Sequence, residues 1–157
     1  MSRFRVLHRV LGVSLALAAA CISLPAFADA PVAVTFPANS VWAQEIGNLN
    51  QSHSSLDYTV AIAAGKTLQV NLLTRNPNIF FKVTDQSHDK KLLDTAETGE
   101  TTWTLPNATA ATYTIRVYLD PAGIEPGDNA KYALQIGQYG AEDMHPPAAS
   151  ASTGQAH

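Results

Sequence analysis

An all-β fold, an antiparallel β-sandwich or jelly-roll of about eight short strands, is what this sequence predicts, and three observations carry the prediction. Apolar residues recur with a period of two rather than 3.6. The recurring runs are rich in Val, Ile, Thr, Tyr, Phe and Trp, which suit a pleated, half-buried surface. Turn-forming residues punctuate the runs at near-regular spacing.

Taken in order, Val32, Val34 and Phe36 alternate with smaller or polar residues and give the first strand. Val41 to Ile46 and Asp57 to Ala63 follow. Leu68, Val70 and Leu72 repeat the alternation after a turn at Gly65-Lys66, and Asn78 to Val83, Thr101 to Leu105, Thr112 to Leu119 and Lys131 to Ile136 complete the set. Between them Asn76-Pro77-Asn78, Thr98-Gly99, Pro106-Asn107, Pro121-Ala122-Gly123 and Pro126-Gly127-Asp128 favour turns through fixed proline φ, glycine freedom or Asx hydrogen bonds. The only helix-like stretch, Lys90 to Glu97, is short and weakly patterned, so helix content should be minimal. Trp42 and Trp103 lie singly in strand patterns and are expected in the core rather than on a sugar-stacking surface.

The ends of the chain read differently. Met1 to Ala28 has the form of an export signal: Arg3, Arg5 and Arg9, an apolar run from Val10 to Ala20, and Ala26-Phe27-Ala28 before Asp29. Its apolar run is too short to span a bilayer, which needs about 20 residues. The expected mature chain is periplasmic or secreted, with processing as a lipoprotein at Cys21 as the alternative. Because Cys21 is the only cysteine and lies in the signal, a chain starting at Asp29 has no disulfide and no thiolate. Residues 29–139, about 110 of them, suffice for one domain. From Gly140 to His157 there is no apolar periodicity, and a disordered tail is expected.

Loss of the three signal arginines leaves seven basic against thirteen acidic residues, a net charge of −6. That balance disfavours nucleic acid and anionic membrane and would help a cationic partner approach. Catalytic patterns are weak. His53 with Ser54 and Ser55 falls in the polar loop Asn48 to Ser55 without a nucleophile elbow, and Ser87-His88-Asp89 are sequence neighbours that splay apart. Asp85, Asp89, Asp94, Glu97 and Glu100 lack the apolar settings that raise a catalytic carboxyl's pKa. The acidic loop holding Asp120, Glu125 and Asp128 has calcium-type oxygens, but its spacing is not that of an EF-hand and Pro121 and Pro126 stiffen it, which favours a solvated hairpin loop. His53, His88, His145 and His157 show no zinc spacing. A non-enzymatic binding protein without cofactor or metal is the expectation.

One basic residue stands out. In Tyr113-Thr-Ile-Arg-Val-Tyr-Leu, parity places Ile115, Val117 and Leu119 on the core face and Arg116 with Tyr118 outside. An arginine beside an aromatic suits a protein-recognition patch; the alternative that the residues alone favour slightly is a cross-strand ion pair packed against tyrosine.

The order Asp57-Tyr58, Ala63-Ala64-Gly65-Lys66-Thr67-Leu68, Phe80-Phe81-Lys82-Val83, Tyr113-Thr-Ile-Arg-Val-Tyr and Lys131-Tyr132-Ala-Leu-Gln-Ile resembles the periplasmic inhibitors of goose-type lysozyme. More loosely, it is similar to bacterial pre-peptidase C-terminal β-sandwich domains. The resemblance covers Val34 to Ile136 and implies a sandwich that blocks a lysozyme's cleft with polar and charged groups. It also implies partner contact at Arg116, with Asp120 to Asp128 as the following loop; together with Tyr118 from the exposed patch, Arg116, Asp120, Glu125 and Asp128 are the expected partner contacts. That loop departs from the family in being acidic and proline-containing, with Pro121 near the place of a second arginine. The other expected class is an accessory module binding an envelope glycan or protein.

Overall fold

Residues 30–120 and 130–144 are described by a computed structural model, and their strands carry out the period of two. The order is β1 (Val32–Ala33), β2 (Trp42–Leu49), β3 (Ser55–Ile62), β4 (Thr67–Thr74), β5 (Ile79–Asp85), β6 (Lys90–Asp94), a helical turn α1 (Thr95–Thr98), β7 (Thr102–Leu105), β8 (Ala111–Leu119), β9 (Ala130–Tyr139) and a closing 3-10 turn, Ala141–Met144. Two sheets form, one in the order β1-β3-β8-β5-β6 and one in the order β2-β9-β4-β7. The expected all-β sandwich is the observed fold. The segment expected to be an export signal, with Cys21, the loop residues Glu125 and Asp128, and the chain beyond residue 144 lie outside the described residues.

The two sheets close on one dry layer. Tyr58, Val60, Phe81, Val83, Ile115 and Val117 from the first face Leu68, Val70, Leu134 and Ile136 from the second, all buried. Across this layer the Tyr58 and Tyr132 hydroxyls share a hydrogen bond of 2.7 Å, with their rings edge to face at 6.5 Å. Burial raises the pKa of both, so the pair stays neutral. Tyr132 reaches this position because Gly47, its neighbour on β2, has no side chain: a Cβ there would lie 2.2 Å from Tyr132 Cζ.

Three expectations need correction. β1 pairs with β3 in parallel, Val32 opposite Tyr58, so the sandwich is not wholly antiparallel. The helix-like stretch 90–97 is mostly strand. The ladder between β5 and β6 shifts register between Val83 and Thr84, and Leu92 has no opposite number, so two leucines stand side by side and the alternation is hidden. After Asp94 the chain leaves the sheet in one helical turn, capped by the Asp94 carboxylate accepting from Ala96 N and by Gly99 at φ 73°. Buried Thr95 then substitutes for the lost ladder: its hydroxyl accepts from Phe81 N at 2.9 Å and donates to Phe81 O at 3.1 Å. Finally, the loop expected from Asn48 to Ser55 is shorter, with β2 ending at Leu49 and β3 starting at Ser55. Asn50 closes it by accepting from the backbone of Ser52 and His53, both at 2.9 Å.

The described residues run past Tyr139. In the closing turn Asp143 accepts from Gly140 N, and Lys66 pairs with Glu142 and with Asp143, the latter at 3.2 Å. No helix among the described residues is long and apolar enough to cross a membrane.

Two predictions come from this packing. Tyr132→Phe leaves the buried Tyr58 hydroxyl without its partner and should cost about 1–3 kcal/mol in denaturant unfolding, whereas Tyr58→Phe/Tyr132→Phe should cost less than the two single changes summed. Lys66 lowers the Glu142 pKa below its ordinary 4.5, while the Gly140 amide, then Lys66, lower that of Asp143 below 3.8. Both carboxylates favour the docked turn when ionised. Docking is therefore full above those ordinary values and is lost as the pH falls through the lowered ones, which amide exchange at Gly140 and Asp143 would report.

Candidate functional site

The outer face of the five-stranded sheet is built by strand register. Outward positions of β3, β8, β5 and β6 align as Asp57, Arg116, Lys82 and Asp94, because Asp57 pairs with Arg116, Arg116 with Lys82 and Lys82 with Asp94. The neighbouring row holds Ser55, Tyr118 and Phe80. Core-facing Ile115, Val117 and Leu119 alternate with Arg116 and Tyr118 on β8, as parity requires.

Arg116 is held in a fork. Its Nε donates to Asp57 Oδ1 at 2.5 Å and its Nη2 to Asp57 Oδ2 at 2.6 Å. The Asp57 hydrogen bond raises the already high guanidinium pKa, so the cation is permanent. The two bonds use two of five N–H donors and fix the plane of the group. Its side chain remains 42% exposed while that of Asp57 is 19% exposed, so the pair projects the arginine rather than hiding it.

Tyr118 is positioned in the same way. Its hydroxyl donates to Asp94 Oδ1 at 2.5 Å, and its ring lies 6.0 Å from that of Phe80. Burial first, then the Asp94 bond, push the phenol pKa up, which keeps the hydroxyl a donor. Asp94 thus serves two groups, the start of α1 and the Tyr118 hydroxyl.

Of the residues expected to touch a partner, Arg116 and Tyr118 are brought together. Asp120 follows at the end of β8, where its backbone N–H donates to Asn78 O at 2.9 Å; Glu125 and Asp128 lie outside the described residues. Asn78 also lines an open hollow of about 1200 Å³ with Arg75, Lys131 and Tyr132. Asp57, Lys82, Asp94 and Phe80 were not singled out as site residues, because only the register of strands distant in sequence makes them neighbours of Arg116.

The stretches around His53 and His88 are loop structures. His53 sits in the Asn50-closed turn, and His88 Nδ1 lies 2.8 Å from Asp85 Oδ2 in the β5–β6 turn, where Asp85 also accepts from Ser87 N. That histidine contact, then burial and the Ser87 amide, set the Asp85 pKa, which is net lowered. Among the described residues no three His, Cys, Asp or Glu side chains gather as metal ligands. Trp42 departs from the expected core position: it is 37% exposed, on the outer face of the other sheet. Trp103 packs partly buried against the core.

No protein-family model matches the sequence, and no curated protein matches it. Solved structures do share the fold. A periplasmic inhibitor of g-type lysozyme from Aeromonas hydrophila, PliG, superposes with a TM-score of 0.58 at 21% identity, covering 69% of this chain and 95% of the inhibitor. The Salmonella Typhimurium PliG gives 0.54 at 17% identity over 71% of this chain and 99% of its own. The pre-peptidase C-terminal domain of a Bacillus anthracis collagenase gives 0.50 at 14%, over 69% and 98%. The two families that the sequence resembles are thus both represented among proteins with this fold.

Proposed function

We propose that the protein is an exported, non-enzymatic inhibitor that holds a lysozyme, of goose type by resemblance, against the outer face of the five-stranded sheet. The observation that carries the proposal is the forked Arg116 beside the Phe80–Tyr118 pair: a cation fixed in orientation, next to aromatic surface, on a regular sheet face. Arginine and tyrosine are the residue types that anchor protein interfaces, and a fixed side chain loses little entropy on docking. Glycoside hydrolases work with paired carboxylates, and a guanidinium is shaped to fork a carboxylate. Arg116 would present its remaining donors to an acidic group of the enzyme's cleft. Asp120 and the loop bearing Glu125 and Asp128 would supply further acidic contacts, consistent with the net negative charge steering a cationic enzyme. The similarity to PliG structures supports this reading at the level of fold.

The test is inhibition of goose-type, chicken-type and invertebrate-type lysozymes by the purified protein. Selective inhibition of the goose-type enzyme is expected. Arg116→Ala should weaken it by roughly 1–3 kcal/mol and should lower the unfolding free energy by less than that, about 1 kcal/mol, as for a partly exposed ion pair. Inhibition of no class, or an Arg116→Ala protein as potent as its parent, would refute the proposal, and equal losses of stability and potency would make Arg116 structural.

A further inference from the structure

The opposite face of the sandwich has a different chemistry, and nothing in the inhibitor reading uses it. On the four-stranded sheet the register of β2, β9 and β4 aligns two outward rows: Trp42, Gly137 and Gln69, then Gln44, Gln135 and Asn71. None of these residues is charged, nor are the outward Thr102 and Thr104 that continue the rows on β7.

The aromatic in this face is deliberately seated. The six-membered ring of Trp42 lies over the backbone of Gly137, where a Cβ would come within 2.8 Å of Trp42 Cη2 and Cζ3. Glycine at that position lets the indole lie on the sheet with one face against the backbone. Tyr139 extends the aromatic surface, its ring 6.2 Å from Trp42 and tilted by 34°.

The amides beside it are oriented by one another. Tyr139 donates to Gln69 Oε1 at 2.8 Å, Gln69 Nε2 to Asn71 Oδ1 at 3.2 Å, and Gln135 Nε2 to Gln44 Oε1 at 3.2 Å. Each primary amide has two donors and an acceptor with two lone pairs, so these bonds hold the groups in place and leave capacity for a ligand. The result is a shallow aromatic shelf bordered by an uncharged strip of donors and acceptors. A pyranose ring has the matching form, apolar C–H faces and a rim of hydroxyls or acetamido groups.

We propose that this face binds a neutral glycan chain, with a sugar ring stacked on Trp42 and successive hydroxyl or acetamido groups bonded to the Gln44, Gln135 and Asn71 row. Charge selects this occupant. Nucleic acid and anionic membrane need a basic surface that these rows do not offer. A second copy of the chain, drawn to the exposed Ile46 and Leu73 at 78% and 50%, would have to desolvate the amide rows beside them. Sugar hydroxyls replace the water that such a partner would strip.

The test is titration of the protein with chitohexaose and with cellohexaose, followed by calorimetry and tryptophan fluorescence. Saturable binding of at least one oligomer is expected, with affinity at least tenfold lower in Trp42→Ala. Gln135→Ala, which leaves the indole and Gly137 in place, should lower it at least threefold and decides the matter if Trp42→Ala does not fold. No saturable binding of either oligomer, or binding that survives Gln135→Ala and any folded Trp42 variant, would overturn the proposal. So would concentration-dependent dimerisation in light scattering that Trp42→Ala abolishes while the sugars have no effect. The readout contains no lysozyme, so failure of the inhibitor reading and failure of this one are separate results.

Discussion

Everything in this structure depends on one constraint: two sheets share a single apolar layer, and the long strands give alternate side chains to it. Tyr58, Val60 and Ile62 on β3 and Tyr113, Ile115, Val117 and Leu119 on β8 are committed to the interior. Their neighbours are released to the surface. Burial of these side chains supplies most of the stabilisation, each contributing about 1.5–3 kcal/mol before entropy is counted. The Tyr58–Tyr132 hydrogen bond adds a polar tie between the layers that is satisfied on both sides. It specifies how the sheets face one another, since sliding either would leave two buried hydroxyls without partners.

The same alternation gives the molecule two independent outer faces. One carries a row of charged groups, Asp57, Arg116, Lys82 and Asp94, whose two terminal carboxylates each hold a side chain of β8: Asp57 the Arg116 cation and Asp94 the phenol of Tyr118 in the neighbouring row. The other carries two adjoining rows of aromatic and amide groups without charge. The two faces are made by related devices. A register pair fixes Arg116 through Asp57, and a register pair fixes Trp42 through the missing side chain of Gly137. Gly47 and Tyr132 repeat the glycine–aromatic pairing on the inner side of the β2–β9 ladder, so that one strand pair seats one ring in the core and another on the surface.

Much of this was legible from residue order alone. Period two located eight of the strands, and parity on β8 separated Arg116 and Tyr118 from the core because Ile115, Val117 and Leu119 left no other solution. β6 was hidden because a bulge breaks the alternation at Leu92, and its Lys90-Lys91 start reads as surface in any element. The parallel pairing of β1 was not legible, since two residues set no direction. Trp42 was misplaced for a physical reason: a lone tryptophan in a strand is worth most when buried, and only the register that puts Gly137 beneath it reveals a flat, exposed seat. Asp57 escaped notice as a site residue because its partner is 59 positions away. Pairings of that separation are decided by sheet topology, not by local pattern.

The two-face account is tested most directly by mapping backbone amide shifts of the labelled protein by NMR, with a goose-type lysozyme in one sample and with chitohexaose, free of enzyme, in another. The account predicts perturbations on β3, β8 and β5 with the enzyme and on β2, β9 and β4 with the sugar. Perturbation of the same face by both would contradict it.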